Sequence, residues 1–335
     1  MKVLVYSAAQ YTRDTFKKAN QDQKHQFVYS DATLSEHTTS LAQDFQAICC
    51  FVEDKLNAKV LGKLAELGVQ LILLRCTGFN NIDIKAAKKN SITVMRVANY
   101  SPYSVAEFTM AMILTLNRKL HRSYNRVREG NFLLDGLLGF DLNNKTVGII
   151  GTGSIGSVLA KILSGFGCRL LANDVIENEY CLSLGVNYVS LTELLQRSNI
   201  VSLHLPLTPD TFHLMNKKTL SLMQDDAILI NTSRGAIVNT TDLITELKRR
   251  RFSGVGLDVY EEESGLYYHD LRDQIIDDDI FTRLIGFPNV LITGHQGFFT
   301  NEALNDIATI TLKNISDYEA GVSSANTIGQ CEKNG

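Results

Sequence analysis

Short apolar runs alternate with stretches of helical period along nearly the whole chain, and few folds accommodate that alternation. A strand, a helix and a further strand in succession return to one sheet as parallel neighbours, with the helix covering a face. Before residue 100 the strand candidates are 3–6, 26–29, 47–52, 71–74 and 92–95. After it come 146–150, 169–172, 200–205, 227–231, 255–258 and 290–293, and six strands complete a dinucleotide-binding sheet. The fold class is therefore α/β. Residues 301–319 read as one long terminal helix with no strand after it.

Between the two strand sets, Ser101-Pro102 opens a helix that is expected to run to about Arg128, since Ser is a favoured N-cap and Pro at the first helical position loses only an unpaired amide. Its first half is apolar on all sides, which marks burial. It reads as a helix joining two domains or lying in a subunit interface, or as a core helix of one domain.

The chain has 335 residues, which at roughly 150 per domain suggests two domains. With 33 Lys and Arg against 36 Asp and Glu there is no basic excess, so nucleic acid and anionic membrane surfaces are not expected partners. The six cysteines (Cys49, Cys50, Cys76, Cys168, Cys181 and Cys331) lack C-x-x-C spacing and read as free thiols in a reducing compartment. The N-terminus has no signal-peptide pattern, and no apolar stretch reaches the roughly 18 residues of a membrane span. A cytoplasmic protein is expected.

The run 146–150 leads directly into Gly151-Thr152-Gly153-Ser154-Ile155-Gly156, and a helical pattern follows. The first Gly permits the tight turn, the second lets a pyrophosphate approach the backbone, and the third lets the helix lie close to the strand. The helix N-terminus then faces the anion. A lone turn of this spacing also occurs without a ligand, but here the next strand ends at Asp174, eighteen positions beyond Gly156, where a carboxylate accepts hydrogen bonds from a ribose diol. Asp174 repels a 2′-phosphate and no Arg closely follows it, so NAD is favoured over NADP.

Three polar residues follow the later strands, where open α/β sheets hold ligands. Arg234 comes after 227–231, Glu263 after 255–258 and His295 after 290–293. A guanidinium holds a carboxylate bidentately. An imidazole beside a carboxylate is favoured in its charged form, as a general acid toward a carbonyl oxygen requires. The other histidines show no metal-ligand spacing and no nucleophile turn is present, so neither a metal nor hydrolase chemistry is expected.

Four segments then resemble the D-isomer-specific 2-hydroxyacid dehydrogenases, and within them the fermentative D-lactate dehydrogenases: Arg75-Cys76-Thr77-Gly78-Phe79-Asn80-Asn81-Ile82-Asp83, Tyr100-Ser101-Pro102 with Val105-Ala106-Glu107, Asn231-Thr232-Ser233-Arg234-Gly235, and Gly294-His295-Gln296. The resemblance implies two Rossmann-like or flavodoxin-like parallel-sheet domains, with the NAD-binding domain (101–298) inserted into a substrate domain made of 1–100 and 299–335. It implies Arg234 on the substrate carboxylate, His295 as acid/base and Glu263 as its partner. Gly151, Gly153, Ser154, Ile155, Gly156, Asp174, Leu205, Pro206, Thr211, Thr232, Ser233 and Asp258 match cofactor positions, and Thr77, Gly78 and Tyr100 match substrate-pocket positions. Many members have Pro where this chain has Gly294, although the fermentative subgroup shares the Gly.

What the resemblance implies is NADH-dependent reduction of pyruvate to D-lactate by a homodimer or homotetramer. Two other readings fit the same residues: the same chemistry on glyoxylate, hydroxypyruvate or 2-ketoisocaproate, and a silent NAD(H)-sensing module. An intact Arg234, Glu263 and His295 argues against the silent module, which has no need of them.

Overall fold

The computed structural model describes residues 1–329, among which strands form two largely parallel sheets; Cys331 lies outside the described residues. In chain order the strands are β1 (Lys2–Val5), β2 (Gln26–Tyr29), β3 (Ala47–Cys50), β4 (Leu71–Leu74), β5 (Thr93–Arg96), β6 (Thr146–Ile150), β7 (Arg169–Asn173), β8 (Asn187–Tyr188), β9 (Ile200–Leu203), β10 (Ala227–Asn231), β11 (Phe252–Leu257), β12 (Val290–Ile292) and β13 (Thr327–Ile328). By contact, Met1–Ser101 and the segment from Phe299 onward form one unit, and Pro102–Phe298 forms the other. The chain is α/β, as its alternation predicts.

The first unit has the sheet order β13-β5-β4-β3-β1-β2. Helices cover both faces, so its strands read as unbroken apolar runs. Adjacent Cys49 and Cys50 duly point into opposite cores, one with Val3, Val5 and Leu71, the other with Leu4, Ile48 and Ile72. Asp54, fully buried past the end of β3, accepts from Ser7 Oγ (2.9 Å), the Leu34 N–H (2.6 Å) and the Phe51 N–H (2.6 Å). One carboxylate thereby ties the exits of β1 and β3 together. Arg75, equally buried past β4, donates to the carbonyls of Tyr6 (3.0 Å) and Ser7 (2.7 Å).

The second unit has the order β12-β11-β10-β9-β6-β7-β8. All its pairings are parallel. The order reverses between β6 and β9, the position at which such sheets open a ligand crevice at the strand carboxyl ends.

The structure corrects three expectations. A strand does follow the helix Asn301–Glu319: Thr327 and Ile328 pair antiparallel with Met95 and Val94, covering the β5 edge. Asn314, buried in that helix, donates to Arg96 O (3.0 Å) and accepts from Asn326 (2.8 Å), which sets the register. β8 is likewise two residues long, too short for an alternation to show. Finally, the helix expected to reach Arg128 breaks, giving Pro102–Arg118 and Leu120–Arg128, with Lys119 in the left-handed region at φ 52°. The break follows from docking of the chain at Gly139 and Phe140: Asn117 exchanges hydrogen bonds with both backbone groups of Phe140 (2.7 and 2.9 Å), which secures the helix end.

Replacing Asp54 with Ala orphans three buried donors. The variant is expected to lose about 3 kcal/mol, read as a lower urea midpoint for the transition that monitors the first unit.

Candidate active site

The glycine turn follows β6 at the reversal point. Gly151 has φ +94°, and a Cβ there would lie 2.4 Å from the carbonyl oxygen of His204, the residue that leaves β9. A Cβ on Gly156 would lie 2.0 Å from Gly151 O, so helix and strand touch through backbone alone. Gly153 differs: a Cβ there meets nothing within 4 Å, and Gly153 caps the helix Ser154–Gly165 without any side-chain bond. The first-turn N–H groups therefore present donors and partial positive charge beside open space, with Ser154 exposed and Ile155 half-buried.

Asp174 closes β7 and holds this turn in place. Its Oδ2 accepts from Thr152 N (2.6 Å) and Thr152 Oγ1 (3.1 Å), and its Oδ1 from Val175 N (2.7 Å). A carboxylate has about four acceptor sites, and Ile176 N, 3.5 Å from Oδ1, takes the last of them, so a ribose hydroxyl would enter by displacing that long bond from the half-buried Asp174. An open, anion-favouring cradle followed by an acid is a chemical fit for a dinucleotide.

At the end of β10, fully buried Asn231 organises the turn that carries Arg234. Its Oδ1 accepts from Ser233 N (3.0 Å) and Ser233 Oγ (2.8 Å), and its Nδ2 donates to Arg234 O (2.8 Å). Thr232 is bonded to Thr109 of the helix Pro102–Arg118 (2.9 Å). The Arg234 guanidinium donates to Ser233 O (2.6 Å) and makes no ion pair among the described residues, which leaves donors for a planar anion.

The loops after β11 and β12 are knotted around Asp258. Only 1% exposed, its carboxylate accepts from Thr293 Oγ1 (2.6 Å), Gln296 N (2.9 Å) and Gly297 N (2.7 Å), while its carbonyl accepts from His295 N (2.7 Å). Burial raises the Asp258 carboxyl above the usual range, against the pull of these bonds. His295 is thereby held at φ 52°, a left-handed conformation that costs a non-glycine residue about 1–2 kcal/mol. Its Nδ1 lies 3.1 Å from Glu263 Oε1, and its carbonyl accepts from Tyr268 Oη at 3.2 Å. An added Cβ at Gly294 meets nothing within 4 Å, so packing does not enforce glycine there.

Within the second unit, then, the structure gathers Arg234, Asp258, Glu263 and His295 past the ends of three adjacent strands. Leu205, Pro206 and Thr211 lie on the loop after β9, where Thr211 Oγ1 donates to Pro206 O (2.6 Å). In the first unit Thr77 and Gly78 follow β4, with Thr77 O accepting from Arg96 (2.8 Å) and Gly78 O from Cys76 Sγ (3.2 Å); half-buried Tyr100 follows β5. The residues that sequence reasoning missed are the ones that hold others in place: Asn231, Thr293 and Tyr268. A strand-end Asn before Arg234 and the Thr at the β12 exit are the signals that were available.

A family model described as D-isomer specific 2-hydroxyacid dehydrogenase, NAD binding domain, matches residues 110–297. Similar proteins include 2-hydroxyacid dehydrogenase homolog 1 of Schizosaccharomyces pombe, 48% identical over 95% of this chain and 96% of its own, and the D-lactate dehydrogenase of Escherichia coli, 43% identical over 98% and 100%. Among solved structures, apo D-lactate dehydrogenase from Escherichia coli superposes with a TM-score of 0.89 at 42% identity, covering 98% of this chain and 100% of that one. The pyruvate reductase of Chlamydomonas reinhardtii gives 0.91 at 40%, covering 97% and 98%.

The differing surroundings of two glycines separate binding from folding. Gly153→Val should unfold at the wild-type temperature yet bind NADH at least about tenfold more weakly, ~1.4 kcal/mol. Gly156→Ala should lower both the unfolding temperature and the affinity. Thermal scans and NADH fluorescence titration check the pair.

Proposed function

This chain belongs to the D-isomer-specific 2-hydroxyacid dehydrogenase family, and from that premise we propose that it interconverts pyruvate and D-lactate. It is an NAD-dependent enzyme of that class, and the bound nicotinamide supplies or accepts the hydride. The observation that carries the reading is the Glu263–His295 pair at 3.1 Å, in the same unit as an Arg234 that has no carboxylate partner among the described residues.

In this proposal Arg234 holds the substrate carboxylate in its planar fork and draws electron density from the adjacent keto oxygen. Glu263 occupies Nδ1 of His295, so the ring's proton transfers run through Nε2. In the reducing direction His295 gives its Nε2 proton to the keto oxygen as the hydroxyl forms. In the oxidising direction it takes that proton back. Asp258 acts on the backbone, fixing where the imidazole stands. Thr77, Gly78 and Tyr100 are assigned to the substrate, and Ser154, Ile155, Asp174, Leu205, Pro206, Thr211, Thr232 and Ser233, with the three glycines, to the dinucleotide. Pyruvate is favoured because relatives similar over nearly the whole chain are named D-lactate dehydrogenase and pyruvate reductase.

We assign self-association to one apolar face of the second unit. The helix Leu120–Arg128 buries none of its residues, and Leu120, Tyr124 and Val127 recur on one side of it. Phe132, Leu134 and Leu138 follow at 73%, 81% and 87% exposure. Apolar surface this extensive and this exposed is characteristic of an interface. A second copy of the chain is the partner proposed.

Three measurements test these assignments. Purified protein should oxidise NADH faster with pyruvate than with glyoxylate, hydroxypyruvate or 2-ketoisocaproate, and a different preferred acid would move the substrate while keeping the class. Arg234→Lys should chiefly raise the pyruvate KM, and His295→Ala should lower kcat about a thousandfold with NADH binding retained. Light scattering should give at least twice the chain mass for the wild type, and Leu134→Glu with Leu138→Glu should give the monomer.

A further inference from the structure

A second imidazole–carboxylate pair lies in the same unit as Glu263 and His295, and the chemistry described so far does not use it. His213, on the loop after β9, is hydrogen-bonded through Nε2 to Glu261 Oε1. Glu261 Oε2 accepts from Thr240 N (3.1 Å) and Thr240 Oγ1 (2.9 Å) at the start of the helix Thr240–Lys248. On its other side the His213 ring meets Asn239 Nδ2 at 3.2 Å. Asn239 Oδ1 is already engaged, accepting from Asp242 N (3.0 Å), so the amide presents its donor to Nδ1. The ring is thus bonded at both nitrogens, Nδ1 by the Asn239 amide and Nε2 by the Glu261 carboxylate. A ring held by partners on both sides is built to orient groups.

What it orients is the segment that carries Glu263. That segment is clamped two residues upstream at Glu261 and pressed at Tyr260 against Gly235, where a Cβ would lie 2.0 Å from the Tyr260 carbonyl. Gly235 directly follows Arg234. Separate backbone bonds join the β9 loop to the residues after Arg234: His213 N to Ala236 O (2.9 Å), Met215 N to Ile237 O (3.0 Å) and Asn239 N to Met215 O (2.9 Å). These survive any change at the Glu261 side chain, so the Arg234 turn stays anchored when the clamp is removed. The Glu263 segment keeps the Tyr260 contact with Gly235 and the bonds from Leu266 N and Tyr267 N to Glu263 O, but loses the side-chain tie that Glu261 makes to the β9 loop and to the helix Thr240–Lys248.

The geometry points to His213 and Glu261 as positioning residues that act through Glu263, setting the Glu263–His295 contact while leaving the carboxylate-binding turn and the dinucleotide cradle alone. The reaction to which this contributes is the dehydrogenase reading proposed above.

Two readouts test it. The first is kinetic: Glu261→Ala should lower kcat about tenfold, with the pyruvate KM and the NADH affinity within about twofold of wild type. Glu261→Gln, which keeps one acceptor oxygen, should recover part of the loss. Made in a Glu263→Gln background, Glu261→Ala should cost less than about twofold more, because its route of action is already cut. The second is NMR titration of the His295 ring in cofactor-free protein, where Glu261→Ala should move the midpoint toward that of Glu263→Gln. An unmoved midpoint in a folded Glu261→Ala protein overturns the inference, as does an equal kinetic loss in both backgrounds. Absence of turnover by the wild type with every keto acid would instead overturn the proposed function, and the NMR titration would still decide the positioning role.

Discussion

A carboxylate with almost no exposure must find donors, and at Asp258 they come from the single segment that carries His295. A buried, unpaired charge would cost several kcal/mol, so the segment after β12 folds to supply Thr293, Gln296 and Gly297 to those oxygens. Wrapping a side chain so closely leaves His295 little choice of conformation. It adopts φ 52° because its own N–H is simultaneously drawn to Asp258 O. The cost of the left-handed backbone is small beside that of a stranded carboxylate, and the conformation persists. Asp258 resembles a cofactor-contact position in sequence, and its oxygens accept from Thr293, Gln296 and Gly297.

The glycine turn solves a different problem with backbone alone. Gly151 and Gly156 are glycine because carbonyl oxygens stand where their Cβ atoms would be, whereas a Cβ on Gly153 would meet none of the described residues within 4 Å. Two of the three glycines thus answer to the fold, and the third leaves space for an anion at an uncapped helix end. Asp174 links both tasks, since it holds the turn through Thr152 and borders the same space.

Legibility from sequence followed interaction range. Strands of four to six residues inside parallel sheets are apolar on both faces, so β1, β4, β6 and β10 announce themselves. β8 and β13 are two residues long, and what places them is the neighbouring strand edge. The break at Lys119 was hidden for a related reason: helical period continues through it, and the cause is Phe140, over twenty residues away, docking on Asn117. At the site, Arg234, Glu263 and His295 could be picked out because each follows a strand that is itself legible. Asn231 and Thr293 also stand at legible strand ends, but what they hold, like the His213–Glu261 pair, is set by hydrogen bonds that only the folded loops bring together.

This division follows from how a parallel sheet builds a site. β10, β11 and β12 deliver their side chains from three loops that share no local sequence, and parallel neighbours are separated by whole crossover helices. No loop can set the distance between a base on one and its partner on another. That distance has to come from contacts running across the strand ends, here from Asp258 to the β12 exit, from Gly235 against Tyr260, and from His213 to Glu261. Each uses a group already committed to the fold: a carboxylate without exposure, a residue without a side chain, an imidazole bonded at both nitrogens. Residues that react must keep a polar atom open to a ligand and the residues that aim them need not, which lets the two sets share loops: Gly235 follows Arg234, and Asp258 and Glu261 precede Glu263.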